Sequence, residues 1–109
     1  MPNDKILSMI GLAKRAGKIT SGAPLCEKDM KTKKSKLIII ATDISPNGKK
    51  SITDACKYNE IKYIEYSNKE LLANSIGIDG FRTVVSVNDK SFADAILVKF
   101  AELKTGRND

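Results

Sequence analysis

The segment Leu37-Ile38-Ile39-Ile40-Ala41 is apolar at every position and ends in a polar turn, Thr42-Asp43. A strand with one face in water alternates apolar and polar residues. An unbroken apolar strand is instead covered on both faces, as in a parallel sheet lying between helix layers. The rest of the chain must therefore supply helices above and below this strand, and its periodicity does so.

A first helix, capped by Asp4 or Asn3, is predicted to run to about Ala16 with Ile6, Ile10 and Ala13 on one stripe. Gly17 ends it as a left-handed cap, and residues 18–21 follow as a short strand. A second helix opens at Gly22-Ala23-Pro24, where proline suits the first turn, and ends at Ser35 or Lys36. Leu25, Cys26 and Met30 form its apolar side, and Lys28, Lys31 and Lys34 form a basic face. Ser45-Pro46 opens a third helix with Ile52, Ala55 and Cys56 inward, and residues 61–66 are a third strand. Ser67-Asn68-Lys69-Glu70 has the form of a capping box and starts a short fourth helix. Gly77 and Gly80 frame a loop before a fourth strand at 82–87. The last helix spans about 92–104, with Ile96, Phe100 and Leu103 on one stripe.

Strands that alternate with helices predict an α/β fold, a three-layer α-β-α sandwich around a mixed four-stranded sheet. The strand–helix–strand connections make the first three strands parallel. The fourth helix is short enough for the last strand to re-enter from the same end and run antiparallel. Residues 1–104 read as one domain, and residues 105–109 as a polar tail.

Charge narrows the partner class. The net charge is +6, and residues 14–50 hold ten Lys/Arg against three acids, so the whole excess lies in one third of the chain. Such a concentration points to an anionic partner, with RNA, DNA and anionic lipid all open, or to a solvated lysine face. No apolar run approaches a membrane span, and the N-terminus lacks a signal-peptide pattern, so the expected location is the cytoplasm with no membrane partner. Cys26 and Cys56 fall in amphipathic helices and read as small buried hydrophobes.

Enzyme motifs are poor. There is no histidine, so the usual base near neutral pH is missing. Gly48-Lys49-Lys50-Ser51 departs from a phosphate loop at Lys50 and at Asp43. No cluster with metal-ligand spacing occurs, so no metal and no cofactor are expected.

A binding edge is better supported. In the sandwich, the carboxyl ends of the parallel strands gather residues 20–24, 43–48, 67–69 and 77–81. Three helix N-termini point there and favour phosphate. Lys28 and Lys31 are expected in the first turns of helix two. Arg82 begins strand four, and Ile78 and Phe81 are apolar tips beside cations, which suits an unstacked base. Asp43 reads as a turn or cap residue.

Gly11-Leu12-Ala13-Lys14-Arg15-Ala16-Gly17-Lys18, then Ser21-Gly22, Lys28, and the strand from Lys36 to Asp43 are ordered and spaced as in a known group. On these motifs the chain resembles the kink-turn RNA-binding ribosomal-protein superfamily, and within it the small bacterial YlxQ-like branch. The resemblance implies the same sandwich with an antiparallel last strand. It also implies binding of sharply bent RNA with tandem sheared G·A pairs. The family's reader, Gly-x-Asn-Glu-x-x-Lys, aligns with Gly22 to Lys28, but Pro24 and Leu25 replace the Asn and Glu that contact guanines. The resemblance places Ser45, Lys69, Ile78 and Arg82 around a flipped-out base. The loop after Gly77 is a residue longer than in close relatives.

The reading is a non-catalytic, monomeric binder of structured RNA, with ribosomal RNA among the candidates. The expected contacts are Lys18, Ser21, Gly22, Lys28, Lys31, Ser45, Lys69, Ile78, Phe81 and Arg82. Two alternatives stay open. One is a protein-interaction module on the ribosome or transcription machinery that has lost kink-turn specificity. The other is a small α/β nucleotide binder or enzyme using the same edge.

Overall fold

The computed structural model of the chain describes residues 4–106. Helices α1 (Lys5–Arg15), α2 (Ala23–Lys31), α3 (Pro46–Asn59), α4 (Lys69–Ser75) and α5 (Lys90–Lys104) alternate with four strands. These are β1 (Ile19–Ser21), β2 (Leu37–Ile40), β3 (Tyr63–Glu65) and β4 (Val84–Val87). The sheet order is β1-β4-β2-β3. β2 and β3 are parallel, whereas β4 is antiparallel to both β1 and β2. The fold is thus the mixed α/β sandwich that the alternation predicts, with the last strand reversed.

The apolar run of β2 divides between two cores, because successive side chains leave opposite faces of a strand. Leu37 and Ile39 face one core with Ile6 and Ile10 of α1, Leu72 of α4 and Ile96 of α5. Ile38 and Ile40 face the other with Cys26 and Met30 of α2 and Ile52 and Cys56 of α3. All four β2 residues are fully buried, each stabilising the sandwich by about 1.5–3 kcal/mol. Gly11 lets α1 approach α4, since a Cβ there would meet the Ser75 carbonyl at 3.0 Å.

β4 reverses because the chain leaves β3 and returns to the same edge. α4 is only seven residues long. Gly77 (φ +75°) turns the chain back, Ile78 N–H donates to the Ala73 carbonyl at 2.9 Å, and Arg82 N–H donates to the Lys69 carbonyl at 2.9 Å. Entry to α4 and exit to β4 are therefore side by side.

Several boundaries differ from the sequence expectation. Asn68, not Ser67, caps α4, its Oδ1 accepting from Leu71 N–H at 2.8 Å. Ser67 instead holds a left-handed φ of +67°, so the capping box does not form. α2 stops at Lys31, and Lys33 has φ +64°, which puts Lys34 beyond the helix. Leu25 is 58% exposed rather than part of the apolar side. α5 starts at Lys90 because the Asp89 carboxylate accepts from Phe92 N–H at 2.9 Å. Leu103 is exposed, and the stripe ends at Phe100, which meets Tyr66 edge-on with centroids 6.2 Å apart. β1 begins at Ile19, β3 covers only Tyr63–Glu65, and β4 begins at Val84, so Arg82 precedes the strand. Asp4 caps α1 through Leu7 N–H at 2.8 Å. The alternative cap, Asn3, and the end of the polar tail, 107–109, lie outside the described residues.

Cys26 and Cys56 are free and buried. Burial, the main cause, pushes the Cys26 thiol up to about 12 and the Cys56 thiol up to about 11.

Candidate nucleic-acid interface

The carboxyl edge of the sheet is where β1, β2 and β3 end and β4 begins. Backbone and side-chain bonds lash its loops together. Gly22 N–H donates to the Val84 carbonyl at 2.9 Å, and Ala41 N–H to Thr83 at 2.9 Å. Thr42 reaches the Ser67 carbonyl twice, through N–H at 2.8 Å and Oγ1 at 2.7 Å. Asp43 Oδ1 accepts the first N–H of α4, from Lys69, at 2.9 Å, which is the turn-closing role expected of it.

Four of the five helices carry a side-chain cap: Asp4, Ser45, Asn68 and Asp89. The exception is α2, whose N-cap is Gly22 with no side-chain bond. An uncapped first turn presents backbone N–H donors and the positive end of the helix dipole to whatever docks there. Gly22 sits at φ +92° with open space where a Cβ would be. Only glycine takes this backbone without strain, and its bare surface admits a close ligand.

Two cations flank that turn. Arg82 Nε donates to Ser21 Oγ at 3.0 Å and Nη1 to the Phe81 carbonyl at 2.8 Å. Lys69 Nζ stands 4.9 Å from the centroid of the Phe81 ring, and Phe81 is 58% exposed. Between α2 and α3 lies a cleft of about 380 Å³, lined by Ala23, Glu27, Asp43, Ser45 and Lys69 among others. Its lining thus holds two carboxylates, Glu27 and Asp43, and one cation, Lys69.

The structure brings Ser21, Gly22, Ser45, Lys69, Phe81 and Arg82 to this edge. Ile78 is half-buried against the α1/α4/α5 core rather than an apolar tip. Lys28 and Lys31 belong to the last turn of α2, not its first turns. Lys31 is about 12 Å along the axis from Ala23, at 1.5 Å per residue. Lys18 precedes β1 at the opposite edge, where Asn88 N–H donates to its carbonyl at 2.8 Å. Pro24, Leu25 and Lys28 are all exposed and share one face of α2 by their i, i+3 and i, i+4 spacing. Gly48-Lys49-Lys50-Ser51 is helical, and its lysines are paired, Lys49 with Glu65 at 3.1 Å and Lys50 with Asp54 at 2.9 Å. It is no phosphate loop.

Sequence reasoning missed Glu27 and Thr83 as lining residues because neither belongs to a recognisable motif. It also missed where the charge lies. Of the ten cations in residues 14–50, only Lys49 and Lys50 are near the start of α3. The other eight are in the last turns of α1 and α2 or in the segments that lead into β1 and β2. Among the described residues no cluster of His, Cys, Asp or Glu fits a metal ion, and no helix is long and apolar enough to cross a membrane.

Residues 4–97 match the model of the ribosomal protein L7Ae/L30e/S12e/Gadd45 family. The chain is 36% identical over 89 residues to the RNA-binding protein YlxQ of Bacillus subtilis strain 168, covering 82% of this chain and 88% of that one. It is 35% identical to RNA-binding protein YlxQ of Enterococcus faecium, covering 82% and 84%. Among solved structures, a protein of unknown function from Bacillus halodurans superposes with a TM-score of 0.82 at 29% identity, covering 86% of this chain and 94% of that one. A Giardia lamblia 15.5kD RNA binding protein shares the fold with a TM-score of 0.77 at 18% identity, covering 96% and 92%. From the span of the family match and the identity to these relatives, the chain belongs to the ribosomal protein L7Ae/L30e/S12e/Gadd45 family.

Proposed function

We propose that the protein binds structured RNA at the carboxyl edge of its sheet, without catalysis and without a cofactor. The observation that carries this reading is the α2 N-terminus, among the described residues the one helix start without a side-chain cap, set between Arg82 and the Lys69–Phe81 pair. Backbone N–H groups and cations take phosphates there, and Phe81 offers a face for an unstacked base. The names of the YlxQ relatives agree with RNA as the ligand. A kink-turn, in ribosomal RNA or another particle, is the proposed RNA class. Residues 1–104 form the binding domain, the protein acts in the cytoplasm, and it acts as a monomer.

The contacts are Ser21, Gly22, Lys28, Ser45, Lys69, Phe81 and Arg82. Pro24 and Leu25 stand exposed beside them with no side-chain hydrogen bond to offer a base. Shape and backbone contacts therefore dominate. The test is titration of a kink-turn hairpin at several salt concentrations. For about four phosphates, log affinity falls with log salt at a slope of roughly −3 to −4. Absence of binding at low salt would overturn the reading. The exposed apolar pair Pro24/Leu25 favours a second reading, a protein-interaction module on the ribosome or transcription machinery. Recovery of protein partners without RNA after crosslinking in cells would select it.

A further inference from the structure

A group of lysines, Lys33, Lys36, Lys62 and Lys90 among them, gathers at the pole opposite the cleft between α2 and α3. β1, β2 and β3 start, and β4 ends, at the amino edge of the sheet. Lys36 N–H donates to the Val87 carbonyl at 2.9 Å, and Ile38 N–H donates to the Lys62 carbonyl at 2.9 Å. These bonds fasten Lys36 and Lys62 to one rim. Lys33 and Lys34 lie in the turn between α2 and β2, and Lys33 Nζ donates to the Asn59 carbonyl at the end of α3. A shallow cleft of about 370 Å³ opens among Lys33, Lys36, Lys62 and Lys90.

The acids of this edge are mostly engaged. Asp29 Oδ2 accepts the Thr20 hydroxyl at 2.6 Å and the Asn88 amide at 3.3 Å. Asp89 caps α5, and Asp94 is paired with Lys90 at 2.6 Å. Glu60 lines the cleft as an exposed acid. Lys34 and Lys62, by contrast, are exposed. Among the described residues their ammonium groups have no ion pair or hydrogen bond.

Side-chain hydrogen bonds cross-link the frame beneath. Ser86 Oγ donates to Asn88 Oδ1 at 2.6 Å and sits 2.7 Å from Ser35 Oγ, while Asn88 Nδ2 donates to Thr20 Oγ1 at 2.9 Å. This chain, buried at Ser35 and Ser86 and half-buried at Thr20 and Asn88, ties β1, β4 and the start of β2 together. Tyr58, in the last turn of α3 and next in the chain to Asn59, whose carbonyl takes Lys33, is 88% exposed.

Among the described residues the ammonium groups of Lys34 and Lys62 are unpartnered, and those of Lys33 and Lys36 donate only to backbone carbonyls, of Asn59 and Lys33 respectively. Cations spread in this way suit an extended polyanion better than a single small anion, which needs donors converging on one point. Lysines meet phosphates as point charges and read no sequence. An exposed aromatic ring at the same end of the molecule as free cations is the combination that single-stranded nucleic acid uses, one base stacking while neighbouring phosphates meet cations. We propose that the amino edge is a second RNA-binding surface, which takes a single-stranded segment with a base on Tyr58 and phosphates on Lys33, Lys34, Lys36 and Lys62. It rests on the reading of the protein as an RNA binder and adds to it that one molecule holds two RNA segments, one at each end of the sheet.

The experiment uses the full chain, a labelled oligouridine of about twelve nucleotides and a kink-turn hairpin without single-stranded tails. Oligouridine should bind the protein already saturated with hairpin. Tyr58→Ala should weaken oligouridine binding roughly 5- to 100-fold. Lys34→Gln with Lys62→Gln should flatten its salt slope by about 1.4, at 0.7 per phosphate on a single strand. Arg82→Ala should weaken only the hairpin. Competition between the two RNAs, or oligouridine binding unmoved by the Tyr58 and lysine variants, would overturn the inference while leaving the carboxyl-edge reading intact. Failure of the hairpin to bind, with oligouridine binding lost in the lysine variant, would sink the carboxyl-edge reading and the two-segment claim and keep the amino edge as a single-strand surface. The Tyr58, Lys34 and Lys62 side chains are exposed and Arg82 is half-buried, and circular dichroism verifies the fold of each variant. Should the double variant unfold, Lys34→Gln alone carries the slope test.

Discussion

Arg82 Nε donates to Ser21 Oγ across 3.0 Å, joining residues 61 positions apart in the chain. The bond holds the guanidinium against Ser21, the last residue of β1, next in the chain to the Gly22 start of α2. Arg82→Ala should weaken kink-turn binding about tenfold and reduce the salt slope by about one. Ser21→Ala should keep the charge but loosen its aim, with a smaller loss of affinity at the same slope. Fluorescence titration at three salt concentrations separates the two effects. Equal slopes for wild type and Arg82→Ala would remove Arg82 from the phosphate contacts.

Gly22→Ala tests the bare backbone. A Cβ meets nothing within 4 Å, but φ is +92°, so the penalty is backbone strain of about 1–3 kcal/mol. Denaturant unfolding should show that loss. RNA affinity should fall further than stability predicts if a phosphate packs against Gly22.

Pro24→Asn with Leu25→Glu should widen the gap between a kink-turn and the same RNA with its G·A pairs changed to Watson–Crick pairs. Each good bidentate base contact is worth about 1–3 kcal/mol of discrimination in the DNA case. The unmodified protein should separate the two RNAs only weakly. A thousandfold separation without the substitutions would move readout away from α2, to the segment around Phe81 and Arg82.

Asp4 serves two partners, Leu7 N–H through Oδ1 at 2.8 Å and the Tyr66 hydroxyl through Oδ2 at 2.8 Å. Asp4→Ala should cost about 1–2 kcal/mol and lower Tm by several degrees. Burial first, then the bond to Asp4, raises the Tyr66 phenol from its ordinary value of 10.0 to about 12. The unfolded chain therefore loses this proton first as pH rises. The contribution to stability is intact below pH 10 and is lost between pH 10 and 12. The ring's partial exposure screens the effect and keeps it small. Tyr66→Phe should flatten the fall in Tm over that window, and parallel curves for the two proteins would disprove the coupling.

Cys26 and Cys56 hold their protons far above neutrality, because burial disfavours the thiolate. At pH 8 iodoacetamide should label the native protein orders of magnitude more slowly than the urea-unfolded chain. Rapid native labelling of either thiol would show that α2 and α3 open locally.

Local pattern alone determined much of this protein. The apolar run at Leu37–Ile40 specified a central strand, because a strand without alternation must be covered twice. The Ile6/Ile10/Ala13 stripe and the Ile52/Cys56 pair specified which helix faces turn inward. The Gly11–Lys18 motif, with Ser21-Gly22, Lys28 and the strand from Lys36 to Asp43, pointed to the family without any coordinates. Caps were less legible: Ser67 and Asn68 are both good capping residues, and the choice fell to Asn68 because Thr42 holds the Ser67 carbonyl through two hydrogen bonds. The extent of α2 was also a tertiary matter. Lys34 and Ser35 N–H groups both donate to the Asp29 carbonyl, which closes the helix early and leaves Lys34 at the amino edge. Above all, linear charge density did not reveal where the charge would stand. Residues 14–50 cross the sheet more than once, so neighbours in sequence are sent to opposite poles. Only the strand directions decided that Ser21 and Gly22 share an edge with Arg82, while Lys18 and Lys36 share the other with Lys62.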